Sequence, residues 1–150
     1  MAAVVIALIA AGSADAAKTA SLTRSESALL TVMNQVRSAH GLRPLRADPR
    51  LEGAARTHSR RMLRTGTFAH GAFTARIRRA GVRAPRIGEN LAWSSGLAGA
   101  RTIVQMWLAS PSHRANLLRP GYWIVGVGAV TGSFNGRRHT LMVTTDFAGR

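Results

Sequence analysis

The chain contains no cysteine, which excludes disulfide cross-links, thiolate metal ligands and a cysteine nucleophile, and leaves an exported form to be held by its core alone. Acidic residues are scarce: six Asp and Glu stand against 21 Lys and Arg, for a formal net charge of +15. Lys18 is the only lysine, so the excess is arginine. Two readings of that excess stay open: a surface that steers the protein towards anionic polymers or lipid, or GC-rich codon usage without a role. Aromatic residues make up 5% of the chain and no basic patch is interleaved with them, so a nucleic-acid partner rests on charge alone and is not expected. H-E-x-x-H, C-x-x-C, G-x-S-x-G and phosphate-binding glycine motifs are absent as well. Zincin, serine-hydrolase and nucleotide-enzyme chemistry therefore lack direct support.

What is present fits one folded domain. The 150 residues, 46% of them hydrophobic, suffice for one sizeable core and not for two. Val4 to Ala11 form an apolar run followed by Ala14-Asp15-Ala16, an A-x-A pattern; residues 1–16 are therefore expected to be a cleaved signal peptide, although no basic residue precedes the run. The run is too short for a transmembrane anchor, which takes roughly 20 apolar residues. A leader at 17–24 and a domain at 25–150 follow, and a secreted, very basic monomer is expected.

Helical and strand periodicities divide the domain. Thr23-Arg24-Ser25-Glu26 has capping-box spacing before Leu29, Val32, Met33 and Val36, predicting a helix stopped by Gly41. Residues 42–47 read as a connector; Asp48-Pro49 supplies an N-cap and an N1 proline for a second helix with Leu51, Ala54, Ala55, His58 and Met62 on one face. A short basic helix is predicted over 73–80, a strand over 87–93, a helix carrying Leu97, Ala100, Val104, Trp107 and Leu108, and a further helical turn after Ser110-Pro111. Trp123, Val125, Val127 and Ala129 alternate with Ile124, Gly126, Gly128 and Val130, and Leu141, Val143 and Thr145 alternate beyond Asn135-Gly136, the pattern of a closing β-hairpin. Helices followed by a small antiparallel sheet make an α+β fold.

Of the five histidines, His40 sits at a helix end as a capping residue, His58 lies on an apolar stripe and reads as a core histidine, and His139 begins the last strand with no assigned direction. His70, in Phe68-Ala69-His70-Gly71, and His113, in Ser110-Pro111-Ser112-His113, stand in turn-rich segments where binding residues tend to lie. Glu89 is a lone carboxylate in an apolar stretch; if buried it needs partners, and either a structural hydrogen-bonding role or a catalytic one fits.

The ordered set Asn34-x-x-Arg37, Gly41-Leu42-x-Pro44-Leu45, Ala54-Ala55-x-x-His58, Phe68-x-His70, Gly88-Glu89-Asn90-Leu91-Ala92, Trp107-Leu108-x-Ser110-Pro111-x-His113-Arg114-x-Asn116 and Val125-Gly126-Val127-Gly128 resembles bacterial members of the CAP (SCP-like) superfamily. That superfamily includes cysteine-rich secretory proteins, venom antigen-five proteins and plant pathogenesis-related proteins. The resemblance implies an α-β-α sandwich around a small antiparallel sheet, with an open cleft. By motif position it assigns His70, Glu89 and His113 to the cleft, His70 and His113 as ligands of a weakly bound divalent metal such as Zn²⁺. The second acid that the eukaryotic branch carries just after the tryptophan is missing, since Leu108-Ala109-Ser110-Pro111 follows Trp107. Asp146 is the candidate substitute. Two functions follow: a binding module for an anionic envelope polymer, lipid or protein, or a metal-assisted hydrolase in which Glu89 is the general base on a metal-bound water. Processing between Ala16 and Ala17 is expected; N-terminal sequencing of protein recovered from outside the cytoplasm checks it, and an intact Met1 in a cytoplasmic pool would rule it out.

Overall fold

The computed structural model describes residues 21–96 and 98–150; the expected signal peptide, the first part of the leader and Leu97 lie outside the described residues. Helix α1 (Arg24–Ala39) starts at the capping box, Thr23 and Glu26 each accepting the other's backbone N–H. His40 is its C-cap and Gly41 follows at φ +68°. Asp48 accepts the N–H groups of Arg50 and Leu51 at the head of α2 (Pro49–Thr65), which Gly66 closes in the left-handed region. Three shorter helices follow, α3 (Phe73–Arg79), α4 (Ala100–Ala109) and α5 (Pro111–Leu117).

Strands β1 (Arg46–Ala47), β2 (Arg86–Ser95), β3 (Tyr122–Phe134) and β4 (Arg137–Gly149) form one sheet in the order β1-β3-β4-β2. The β3–β4 hairpin turns at Asn135-Gly136, both with positive φ, as a primed two-residue turn demands. The connector expected over 42–47 contains a strand instead: β1 lies parallel to β3. The Asn34 side chain sets it there, accepting the Leu45 N–H at 2.8 Å and donating to the Leu45 carbonyl at 3.0 Å.

Because side chains alternate along a strand, the hairpin builds two different faces. Val125, Val127, Val143 and Phe147 pack with Leu29 and Met33 of α1, Trp107 of α4 and Leu117 of α5. The opposite face receives α2 and α3 through Leu51, Ile77, Ile124 and Ala148. The result is an α-β-α sandwich of the α+β class. On the α2 side, Gly126 and Gly128 leave no side chain between sheet and helix: a Cβ on Gly126 would collide with the backbone of Leu51 and Glu52, and one on Gly128 with that of Ala55 and Arg56. Arg37 fastens the other layer. It is fully buried without an acid, and its guanidinium donates to the carbonyls of Arg43, Leu117, Arg119 and Tyr122 at 2.8–3.1 Å.

These contacts set opposite expectations for two glycines. Gly128→Ala forces α2 off the sheet and should destabilise the fold by at least about 1–3 kcal/mol, the usual cost of overpacking. Gly53→Ala, in mid-helix with nothing within 4 Å of the new methyl, should stabilise by about 0.5–1 kcal/mol. Urea unfolding of the two variants measures both.

Candidate functional site

The two carboxylates that matter lie side by side across β2 and β4, Glu89 opposite Asp146, on the face that looks towards α3. Both are buried. Arg76 reaches in from α3, its Nη2 bonded to Glu89 Oε2 and 3.5 Å from Asp146 Oδ1. From the loop before α3, His70 Nδ1 meets Glu89 Oε1 at 2.7 Å. A carboxylate can only accept, so Nδ1 carries a proton and donates it, leaving Nε2 on the open side of the ring. The His70 side chain is half exposed.

His113 enters from the other layer. Asn90, the β2 residue after Glu89, donates to the His113 carbonyl at 2.9 Å, and Asn116 of α5 donates to the Glu89 carbonyl and to Asn90 Oδ1, both at 3.1 Å. Trp107 Nε1 donates to the Leu91 carbonyl at 3.0 Å, completing the attachment of α4 and α5 to β2. His70, Phe73, Gly88, Glu89, His113 and Asn116 line one cavity of about 270 Å³. The structure thus brings His70, Glu89 and His113 around a single cavity, while Asp146 is fully buried beside Glu89. His58 is buried and joined through Nε2 to the Ala69 carbonyl at 2.9 Å, and His40 Nδ1 lies 2.8 Å from the Val36 carbonyl at the end of α1. His139 is exposed.

Burial dominates the electrostatics. It raises Glu89 to about 7 against the pull of Arg76, and raises Asp146 to about 8 with help from the Glu89 charge. At neutral pH Asp146 therefore keeps its proton and donates it to Glu89, and the one guanidinium balances one carboxylate. Burial and the positive charges of Arg76, Arg61 and His70 lower His58 to about 4; burial and His70 also lower His113. Glu89 is committed three times over, to His70, Arg76 and Asp146, so it is not free as a general base. Nor do these residues fit a resident metal: among the described residues no group of three or more His, Asp or Glu is placed to hold one, and a fixed cation already lies between the two carboxyls. Sequence reasoning missed Arg76, although Phe73, Arg76, Ile77 and Ala80 share helical spacing, which puts a cation on the inward stripe.

A family model described as CAP, the cysteine-rich secretory protein family, matches residues 30–147. The chain belongs to the CAP family. It does so without the cysteines of the family's description. It is 30% identical over 115 residues to the uncharacterized protein YkwD of Bacillus subtilis, covering 73% of this chain and 44% of YkwD. It is 32% identical over 111 residues to the uncharacterized membrane protein YlbC of the same organism, covering 71% of this chain and 32% of YlbC. The chain thus spans less than half the length of these two CAP relatives. The crystal structure of an extracellular Bacillus anthracis protein containing an SCP domain superposes with a TM-score of 0.70 at 27% identity, over 84% of this chain and 40% of that one.

The carboxyl pair gives this CAP domain a signed pH dependence. The unfolded chain releases the Asp146 proton near 3.8 and the folded protein holds it to about 8; between those values the native state binds more protons, so the pair's contribution to stability falls as pH rises. His58 acts in the opposite sense, costing stability as pH falls from 6.5 towards about 4. Asp146→Asn keeps a hydrogen-bond donor and removes the titration, so its melting temperature should rise relative to wild type between pH 4 and 8. A constant difference across that range would refute the shared-proton arrangement.

Proposed function

We propose that this CAP domain is an extracytoplasmic binding module of the bacterial cell envelope, exported behind residues 1–16, which an anionic envelope polymer attracts by charge and whose His70–Glu89–His113 cleft receives one polar group of the ligand. The observation that carries this reading is the distribution of charge. Glu26, Asp48, Glu52, Glu89 and Asp146 are all 9% exposed or less, and of the described arginines only Arg50, Arg56 and Arg76 pair with them. No side-chain carboxylate of the described residues is left on the exterior to offset the remaining arginines, and such a surface raises the local concentration of polyanions. The extracellular description of the Bacillus anthracis protein supports the location. At the cleft, His70 Nε2 and the neutral His113 offer hydrogen-bonding nitrogens, while Glu89 orients His70 as a carboxylate orients a paired imidazole. Nothing among these groups forms an activated nucleophile, so binding ranks above hydrolysis.

The test is retention of the purified domain on isolated envelope material. Raising salt from about 0.1 to about 1 M contracts the screening length from about 10 to about 3 Å, and retention should fall steeply across that range. Absence of retention at any salt would overturn the reading and leave the arginines as codon usage. Zinc added in calorimetry should bind no more tightly than about 1 µM, on the order of −8 kcal/mol, with His113→Ala weakening it further; nanomolar zinc would restore the metal-hydrolase alternative.

A further inference from the structure

A second cavity, of about 400 Å³, opens between α2 and α3, with Thr57, His58, Arg61 and Thr65 on the α2 wall and Arg76 and Arg79 on the α3 wall. Thr57, Arg61 and Thr65 are four residues apart and so form one row along the helix. No acid lines the cavity. Arg76 is turned towards Glu89 and Asp146, and its buried Nε has no hydrogen-bond partner. Arg61 and Arg79 are exposed; neither forms an ion pair or a side-chain hydrogen bond with the described residues, and no described acid remains to supply one. Two arginines lining a concave space without a counter-charge supply the kind of donors that carboxylate or phosphate oxygens accept from bidentately.

The hydroxyls narrow the choice. Thr57 Oγ1 donates to the Gly53 carbonyl at 2.8 Å and Thr65 Oγ1 to the Arg61 carbonyl at 3.0 Å, so each has its proton spoken for and offers only lone pairs to the cavity. His58 is similar: its Nε2 faces the Ala69 carbonyl, which cannot donate, so the proton is on Nε2 and Nδ1 is an acceptor. The cavity therefore combines unpaired cationic forks with a set of neutral acceptors. A bare anion would leave the acceptors unused, whereas a small polyol ester satisfies both, and the volume lies at the lower end of the range for small-molecule sites.

We propose that the cavity between α2 and α3 is a binding site for a polyol phosphate ester, of the size of glycerol phosphate, its phosphate held by Arg61 and Arg79 and its hydroxyls donating to Thr57 and Thr65. This deepens the envelope-binding reading and rests on it only for the source of the ligand; the site is separate from the His70–Glu89–His113 cleft.

Calorimetry with sn-glycerol 3-phosphate at fixed ionic strength tests it. Saturable one-site binding is expected, several-fold tighter than for inorganic phosphate, weakened at least tenfold by Arg61→Gln/Arg79→Gln and unchanged by His113→Ala. Thr65→Val should erase the preference over inorganic phosphate. Both arginines are exposed, so the double variant should melt with wild type. The charge-matched control Arg101→Gln/Arg114→Gln, on α4 and α5 across the sheet, should bind as wild type does. Equal weakening by the control, loss in His113→Ala, or no binding to wild type overturns the site. Vesicles containing phosphatidylglycerol separate the sources: vesicle binding that glycerol 3-phosphate displaces assigns the ester to a lipid headgroup, and vesicle binding unaffected by it assigns a free or polymer-borne ester. Loss of glycerol 3-phosphate binding in the double variant while envelope retention persists would leave the general reading standing; loss of retention with the calorimetry intact would overturn that reading and keep the site.

Discussion

The constraint from which much of this structure follows is the placement of the five acidic side chains of the described residues, every one of them inside or nearly so, among many more arginines. A buried carboxylate is costly unless charge and hydrogen bonds compensate it, and for Glu26, Glu89 and Asp146 the compensation also joins two elements, whereas Glu52 pairs within α2 with Arg56. Glu26 belongs to the capping box of α1, yet it also accepts from Arg56 of α2 at 2.7 Å and from the Ala129 N–H at 3.3 Å. It thereby ties the first helix to the second around β3 and occupies a donor on that strand's outer side. Asp48 starts α2. Glu89 and Asp146 hold α3 to the sheet through Arg76. The same ion pairs that fasten the layers remove negative charge from the exterior, so internal stability and external charge have one cause.

The cleft lies where the two helical layers meet the outer strand β2, and its composition follows from how each layer is attached. On one side α2 comes down onto Gly126 and Gly128 at backbone distance, and α3 packs beside it through Ile77 and Leu51. That brings the loop carrying His70, and the helix carrying Arg76, over Glu89. On the other side Trp107, Asn90 and Asn116 hold α4 and α5 by hydrogen bonds to β2 and to each other, and His113 comes with them. Neither histidine is held by the element that carries the other. Their meeting at one cavity depends on both attachments, which explains why so many of the motif residues around the site are asparagine, tryptophan and glycine rather than groups with reactive chemistry.

Much of this was legible in the sequence, and the part that was not has a physical reason. Local signals with fixed spacing read correctly: the Thr23–Glu26 capping box, Asp48-Pro49, the Asn135-Gly136 turn and the glycine alternation in β3 each act within a few residues. His58 and His40 also stand as their surroundings indicated. Strand β1 was not visible because two residues carry no periodicity; it exists because Asn34, 11 positions earlier, brackets Leu45. The linked motifs picked out His70, Glu89 and His113, which line one cavity, but could not show that Glu89 and Asp146 are cross-strand neighbours, since register between β2 and β4 is set by pairing at long range. Arg76 was lost in a run of basic residues, where only the inward stripe of a seven-residue helix distinguished it from Arg78 and Arg79.

Arg76 also decides what kind of site the cleft is. Two adjacent buried carboxyls can be stabilised by a divalent cation, by a shared proton or by a fixed organic cation, and each leaves a different charge. Here the guanidinium contributes one positive charge and the Asp146 proton removes one negative, so Arg76, Glu89 and Asp146 together are neutral. A divalent ion placed beside them would meet a cation that cannot deprotonate and a carboxylate whose oxygens already accept from His70 and Arg76, and the low-dielectric surroundings would magnify that repulsion. With the acid after Trp107 absent, the chain lacks the charge that would tip the balance towards metal. What remains at the surface of the cluster is His70, oriented from behind by Glu89 and presenting its Nε2, opposite a second imidazole that burial pushes towards the neutral form. That pair suits hydrogen-bonded recognition of a polar group, which is the role proposed for it above.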